Sequence, residues 1–253
     1  MFHAVIPARY ASTRLPGKPL ADLGGRPMIQ HVHERVSGAG AASVVIATDD
    51  ERVREAAARF GADVQMTSAS HASGTDRLAE VALRRGWRDA EVVVNVQGDE
   101  PLMPPSLVRQ CAALLAADAA ADIATLATPV ETLEEFLDPS AVKVVRRADG
   151  RALYFSRAPV PWHRDAAPAG LASQREFSGA LRHLGIYAYR VGALRRLAAA
   201  PPSPLEQAEK LEQLRALELG MSIVVGIALV RPGPGVDTPA DLERVRGLLR
   251  LAT

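Results

Sequence analysis

Residues 5–20, VIPARYASTRLPGKPL, govern how the rest of the chain is read. Val5 and Ile6 close a short apolar run of the kind that forms a buried strand. Pro7 stops it, and the next residues bring in Arg9, Arg14 and Lys18 with Ser12, Thr13 and Gly17 between them. Three fixed positive charges on a turn-rich loop after a strand suit a polyphosphate, because cationic side chains and backbone N–H groups are donors only. The loop is not a Walker P-loop, since Lys18 is followed by Pro19, and the chain contains no G-x-G-x-x-G fingerprint. A basic loop whose charges are simply solvated is the other reading of the same residues.

Outward from this loop, strand and helix patterns alternate. After HAVIPAR, a helix is predicted from about Pro27, with Met28, Ile29, Val32 and Val36 on one face and Gly38 and Gly40 at its end. SVVIATD at 43–49 reads as a second buried strand, Glu51 to Phe60 as a helix, and Val64 to Thr67 as a short strand. A helix through Leu78, Val81, Ala82 and Leu83 follows the polar run SASHASGTDR. VVVNV at 92–96 is almost continuously apolar, as a strand covered on both faces should be, and it opens onto QGDEP. A helix over about 105–117 and the strand DIATLATPV complete this half.

Such a βαβα rhythm predicts an α/β fold: a mainly parallel, mixed central sheet with helices on both faces. Ligands gather beyond the carboxyl ends of the strands in these sheets. The basic loop, Asp49–Asp50 and Gln97–Asp99 all fall at such ends. Past Pro129 the rhythm changes. VKVVRRADGRALYFSR at 142–157 predicts a hairpin turning at Asp149–Gly150, followed by a long loop over 159–177 and the strand LRHLGIYAYRV. We read residues 140–190 as an antiparallel insert within one domain spanning 1–253. SPLE at 203–206 is a capping box and predicts a helix running to Gly220; SIVVGIALV is the last strand, and Thr238, Pro239 and Asp241 open the final helix.

Composition narrows the class. Lys and Arg number 30 against 29 Asp and Glu, a net charge of +1, so no general field toward nucleic acid or membrane is expected and any anion site must be a local arrangement. One cysteine, Cys111, excludes an intrachain disulfide and a multi-cysteine zinc site; beside Leu114 and Leu115 it reads as a core thiol. No apolar run approaches the roughly 20 residues that span a bilayer. MFHAVIPAR enters the first strand without a basic leader or cleavage signal, so the cytoplasm is the expected compartment.

Two acids stand out. Asp99 follows a buried strand and a glycine, and Asp237 follows PGPGV just ahead of a helix. Each is open to two readings. A loop acid near a helix N-terminus needs no ligand to be favourable. Together with a cationic phosphate loop, the two make a pair for magnesium, which takes one or two protein carboxylates plus substrate oxygens. Glu206 is explained by its capping box, whereas Glu212 falls on the apolar face of its helix and calls for a partner.

The basic loop, HASGTDR, QGDEP, YFSR, RHLGIY, PLEQAEKLEQLR and GVDTPADLERVR together resemble the motifs of the 3-deoxy-manno-octulosonate (Kdo) cytidylyltransferases, or CMP-Kdo synthetases, of lipopolysaccharide synthesis. The likeness covers nearly the whole chain, and cytidylyltransferases for sialic acids carry a looser version of the first motif. The resemblance implies a nucleotide-diphospho-sugar transferase-like fold, CTP and Kdo as substrates, Mg2+ as cofactor and a homodimer. It places the metal on Asp99 and Asp237, and the nucleotide on Arg9, Arg14, Lys18, Ser73 and Asp99. Lys18, Arg9, Asp99 and Asp237 carry the catalysis. The sugar falls to Gln97, Arg157, His183, Tyr187, Glu212 and Gln213. The chain departs from the family pattern at ATDDE (47–51), PVPWHRD (159–165) and IYAYR (186–190), and His163 stands where an acid is expected. No side chain presents itself as a general base. A cytidylyltransferase for another acidic sugar, such as a sialic acid, and a non-catalytic nucleotide-sugar binding module are the alternatives.

Overall fold

A computed structural model describes residues 1–11, 14–71 and 73–251; Ser12 and Thr13 of the basic loop and Ala72 of HASGTDR lie outside them. The first half contains β1 (Phe2–Pro7), β2 (Asp22–Leu23), β3 (Arg26–Pro27), α1 (Met28–Ser37), β4 (Ser43–Thr48), α2 (Glu51–Arg59), β5 (Asp63–Met66) and α3 (Gly74–Arg84). The middle adds β6 (Val92–Asn95), α4 (Pro105–Ala117), β7 (Ile123–Pro129), α5 (Leu133–Leu137), β8 (Lys143–Arg146) and β9 (Ala152–Ser156). The chain then forms β10 (Leu181–Arg190), α6 (Val191–Ala199), α7 (Pro204–Glu209), α8 (Glu212–Glu218), β11 (Ile223–Ile227) and α9 (Pro239–Leu251).

Strand β1 is the hub, because its apolar run has two faces to cover. Ala4 and Ile6 point to one core with Ile46, Val94 and the inner faces of α1, α2 and α4. Val5 points to the other, with Val45, Val93 and residues of α3, α6 and α8. This period-two alternation, apolar on both sides, is what a sheet sandwiched between helices demands. Cys111 is buried in the first core, as a packed thiol.

The sheet order is β11-β7-β10-β6-β1-β4-β5, with β8 and β9 attached beside β10. Parallel pairing joins β1 to β4 and β6, β4 to β5, and β7 to β11, while β10 runs antiparallel to both β6 and β7. Two consequences position the site. After β1 the chain builds β4 and β5 on one side, then returns to lay β6 on the other, which makes the carboxyl ends of β1 and β6 a topological switch point. The reversal of β10 brings its first residues, Leu181–His183, to the same edge. At the switch point Gly98 is required, because a Cβ there would lie 2.8 Å from the Pro7 carbonyl oxygen. No helix among the described residues is long and apolar enough to cross a membrane.

The mixed α/β sheet and the hairpin insert follow the expectation, and two of the departures in element bounds bear on the site. The strand expected over LRHLGIYAYRV ends at Arg190, and Val191 instead opens a helix over 191–199. The single helix expected from Pro204 to Gly220 is two, broken at Lys210, which adopts φ 54°. An ion pair accounts for the break. Arg215 Nε and Nη2 donate to Glu206 Oε2 and Oε1 at 2.7 and 2.6 Å, and Arg215 Nη1 donates to the Leu197 and Ala200 carbonyls that end α6. Residues nine apart face opposite sides of a continuous helix, so only a turn at Lys210 lets the pair close. Both partners are buried.

Removing one partner of a buried pair strands the other charge. Glu206→Ala is therefore expected to cost about 3–5 kcal/mol of stability, measured by urea unfolding. Glu206→Met combined with Arg215→Leu should recover most of the loss.

Candidate active site

The basic loop is shaped before it meets any ligand. Gly17 adopts φ +69°, donates its N–H to the Tyr10 carbonyl at 3.2 Å, and packs so closely on the Tyr10 ring that a Cβ would sit 3.2 Å from the phenol oxygen. The Arg52 guanidinium lies over that ring, 3.4 Å from its centroid, and is itself held by Asp50 at 2.7 and 3.0 Å. A 3-10 turn over Lys18–Leu20 then aims the Lys18 side chain inward.

Lys18 Nζ donates to Asp99 Oδ2 at 2.7 Å and to Asp237 Oδ1 at 3.0 Å, and Arg14 Nη2 reaches the same Asp237 oxygen at 3.0 Å. Burial works against the Lys18 ammonium, but the two carboxylates outweigh it and raise its pKa above the ordinary 10.5. Asp237 is delivered by the 232–237 loop, which lies on the turn after β6. Val236 N–H donates to the Asp99 carbonyl at 2.9 Å, and Gly233 and Gly235 leave room for Leu102 and Glu100. Behind it, Thr238 and Asp241 cap α9 reciprocally, and Val236, Leu242 and Val245 pack on Leu23 and Met28. The two ends of the chain thus close over the same point.

An ammonium nitrogen between two carboxylates marks a cation position. Among the described residues no three His, Cys, Asp or Glu side chains gather into a closed metal site. Two carboxylates open to a cavity fit magnesium, which keeps most of its shell for water and substrate phosphate oxygens.

Two cavities meet here. The first, of about 380 Å³, is lined by Arg9, Arg14, Lys18, Arg77 and Asp99. The second, of about 340 Å³, is lined by Asn95, His183, Tyr187, Glu212 and Gln213 among others, and Gly74 and Gln97 border both. Ser73 enters as the cap of α3: its hydroxyl accepts from the Asp76 N–H at 3.2 Å, and Asp76 accepts in return at 3.1 Å. The capped N-terminus of α3 therefore lies between the cavities, a favourable end for anions.

The second cavity is polar by construction. Glu212 accepts the Thr75 hydroxyl; burial raises its pKa above the usual carboxylate range, against the pull of the Thr75 and Ser73 hydroxyls. Tyr187 is buried between His183 and Tyr189, and that burial pushes its phenol well above 10. His183 lies edge-on to Phe155 at 5.1 Å, and burial, aided by Arg182, pushes its pKa down to about 3.

Of the residues expected in the site, Ser73, Asp237 and Arg157 line neither cavity: Ser73 caps α3, Asp237 reaches Lys18, and Arg157 is tied to backbone carbonyls. Arg157 Nε donates to the Glu209 carbonyl at 2.7 Å and its Nη1 to the Pro139 carbonyl at 2.9 Å. The guanidinium ties the segments before Ser140 and Lys210, two residues on the cavity rim. The cavity's arginine is Arg182, one residue before His183 in the RHLGIY motif. Asn95 was also missed. Its side chain is buried on the cavity wall with Oδ1 unpartnered among the described residues, and a lone polar residue within VVVNV was the available signal.

The first cavity is lined largely by cationic side chains and the second by mostly uncharged polar ones, with the Asp99–Asp237 pair at Lys18; this layout suits a nucleotidyltransferase. The chain belongs to the cytidylyltransferase family, whose model, described as Cytidylyltransferase, matches residues 3–223. It is 57% identical over 249 residues to the 3-deoxy-manno-octulosonate cytidylyltransferase of Thioalkalivibrio sulfidiphilus, covering 98% of this chain and 99% of that one. The enzyme of the same name from Halorhodospira halophila is 56% identical, with 96% and 95% covered. Among solved structures, CMP:2-keto-3-deoxy-manno-octonic acid synthetase complexed with CTP superposes with a TM-score of 0.89 at 45% identity over 100% of both chains. A 4-diphosphocytidyl-2C-methyl-D-erythritol synthase, at 16% identity and a TM-score of 0.63, shares the fold.

Glu100 gives this site a pH signature. Burial first, and the neighbouring Asp99 next, push its pKa up to about 8 from 4.5. A folded-state pKa above the unfolded value means stability present below pH 4.5 and lost as pH rises toward 8. In EDTA, Glu100→Gln should match the parent in melting temperature near pH 4.5 and exceed it increasingly up to pH 8. A constant offset across that range would contradict the assignment.

Proposed function

We propose that this protein transfers CMP from CTP to Kdo, releasing pyrophosphate and giving CMP-Kdo for lipopolysaccharide synthesis. The observation that carries the site reading is the convergence of Lys18, Asp99 and Asp237 on one point beside two adjoining cavities. The choice of substrates is supported by the names of relatives at 57% and 56% identity and by the CTP-bound structural neighbour.

CTP would lay its triphosphate along Arg9, Arg14 and Lys18, with α3 contributing its capped N-terminus through Ser73 and Gly74. Kdo would occupy the second cavity against Gln97, His183, Tyr187, Glu212 and Gln213. Arg157, tied to the Pro139 and Glu209 carbonyls, would brace that cavity's rim. The anomeric hydroxyl loses its proton to solvent and its oxygen attacks the α-phosphorus; the new O–P bond forms as the bond from the α-phosphorus to the bridging oxygen breaks, and that electron pair leaves with pyrophosphate. Mg2+ held by Asp99 and Asp237 would supply Lewis-acid polarisation and favour the ionised anomeric hydroxyl. Lys18 then exchanges carboxylates for phosphate oxygens, offsetting charge on the leaving group. A buried, neutral His183 and a largely buried Glu212 make the sugar side a hydrogen-bonding wall, and no general base is assigned. The reaction is read as the work of one unit over residues 1–253, in the cytoplasm where CTP is made, and as a homodimer by family resemblance; light scattering tests the last.

A pyrophosphate-release screen of four nucleotides against Kdo and N-acetylneuraminate tests the function. CTP with Kdo should dominate, because a cavity lined with buried polar groups penalises an acceptor that leaves them unpaired, by up to about 10⁴-fold. Comparable turnover of the two sugars would sink the Kdo assignment, and no turnover with any pair would favour a binding module. Asp99→Asn and Asp237→Asn should each lower kcat by roughly 10²–10³ with the fold intact, as loss of a preorganised electrostatic group does. Lys18→Ala should lower kcat/KM for CTP while barely changing KM for Kdo.

A further inference from the structure

Thr125, on β7, is fully buried and is not one of the expected site residues. It lies at the register shift in the β7–β10 ladder, between Leu184 and Tyr187. Irregularities of this kind re-aim side chains and are common beside active sites. Here Thr125 Oγ1 is 2.7 Å from the Ile186 carbonyl, 3.3 Å from the Leu184 carbonyl and 2.9 Å from His183 Nε2.

A hydroxyl has one proton to give, and a carbonyl oxygen has none. An O···O approach of 2.7 Å therefore needs the Thr125 proton between the two oxygens. With its proton committed to a carbonyl, Thr125 offers His183 only lone pairs, so Nε2 must be the donor. A neutral imidazole carries a single N–H, which leaves Nδ1 bare. The ring is kept neutral by burial. Phe155 and Tyr187 hold it in place, both at 5.1 Å, and it lines the second cavity.

We infer that Thr125 is a positioning residue: it holds His183 as the Nε2–H tautomer and so makes Nδ1 an acceptor for a substrate hydroxyl in the second cavity. The hydroxyl's identity as one of the sugar's rests on the proposed function, whereas the tautomer does not. Fixing the tautomer matters because the other one would present an N–H where a sugar hydroxyl also has to find its partner.

Long-range ¹H–¹⁵N correlation spectra of the full chain without ligands, with His183 assigned against His183→Gln, read the tautomer directly. A protonated Nε2 and a bare Nδ1 are expected, and the reverse pattern overturns the inference without any further variant. Thr125→Val removes the acceptor at nearly the same shape, and Thr125→Ser restores it. Thr125→Val should show mixed tautomers and a KM for Kdo raised roughly five- to tenfold, the scale of one neutral hydrogen bond, with KM for CTP unchanged. Thr125→Ser should return both readouts. An unaltered Nε2–H pattern in Thr125→Val, or KM for CTP rising in step, overturns the positioning role. Should the parent enzyme fail to turn over Kdo, the proposed function falls while the spectra still decide the tautomer.

Discussion

The Lys18 ammonium, held between Asp99 and Asp237, is the interaction on which the site depends. Each partner comes from a different part of the chain: a loop after β1, the turn after β6, and the segment leading into α9. Three like-minded anchors bring them together. Gly17 lets the loop fold onto Tyr10, Gly98 lets the β6 turn pass under the end of β1, and Val236 donates to the Asp99 carbonyl. Each is a close backbone approach, so the charges are fixed by backbone geometry more than by their own attraction. That distinction matters in a partly wet cleft, where an ion pair alone contributes little.

Charge balance follows the same logic. With a net charge of +1, the chain has no overall field to draw an anion in. Positive charge is concentrated locally instead: Arg9, Arg14 and Lys18 on one loop, and the N-terminus of α3 opposite. The Asp99 and Asp237 carboxylates that share this space offset part of that charge and keep it from being a general anion trap.

The acceptor side depends on the reversal of β10. Only a strand running against its neighbours brings its first residues to the carboxyl edge of the sheet, and Arg182 and His183 are those residues. The break between α7 and α8 completes the wall. It closes the Glu206–Arg215 pair, and the new helix start sets Glu212 and Gln213 on the cavity side. Stability and site geometry are thus coupled at Lys210, a residue in a left-handed conformation on the cavity rim.

Much of this was legible in the chain itself. Short apolar runs mark β1, β4 and β6, and capping signals mark the starts of α7 and α9, because these signals are local; residue type at strand ends singled out the basic loop and both aspartates. Several features were not legible, and the reason is physical in each case. The resemblance put Arg157 on the sugar; that its guanidinium also holds the Pro139 and Glu209 carbonyls depends on how three segments pack, which no local pattern shows. The helix expected to run unbroken to Gly220 has no proline or glycine to stop it; a buried ion pair between residues nine apart outweighed local propensity. Arg182, Asn95 and Thr125 gain their roles from β10 lying antiparallel between β6 and β7 with a shifted register. Local patterning specified the elements and the chemistry carried by the basic loop, whereas pairing across the sheet decided which polar atoms face the cavity, because that depends on strand direction and register between segments far apart in sequence.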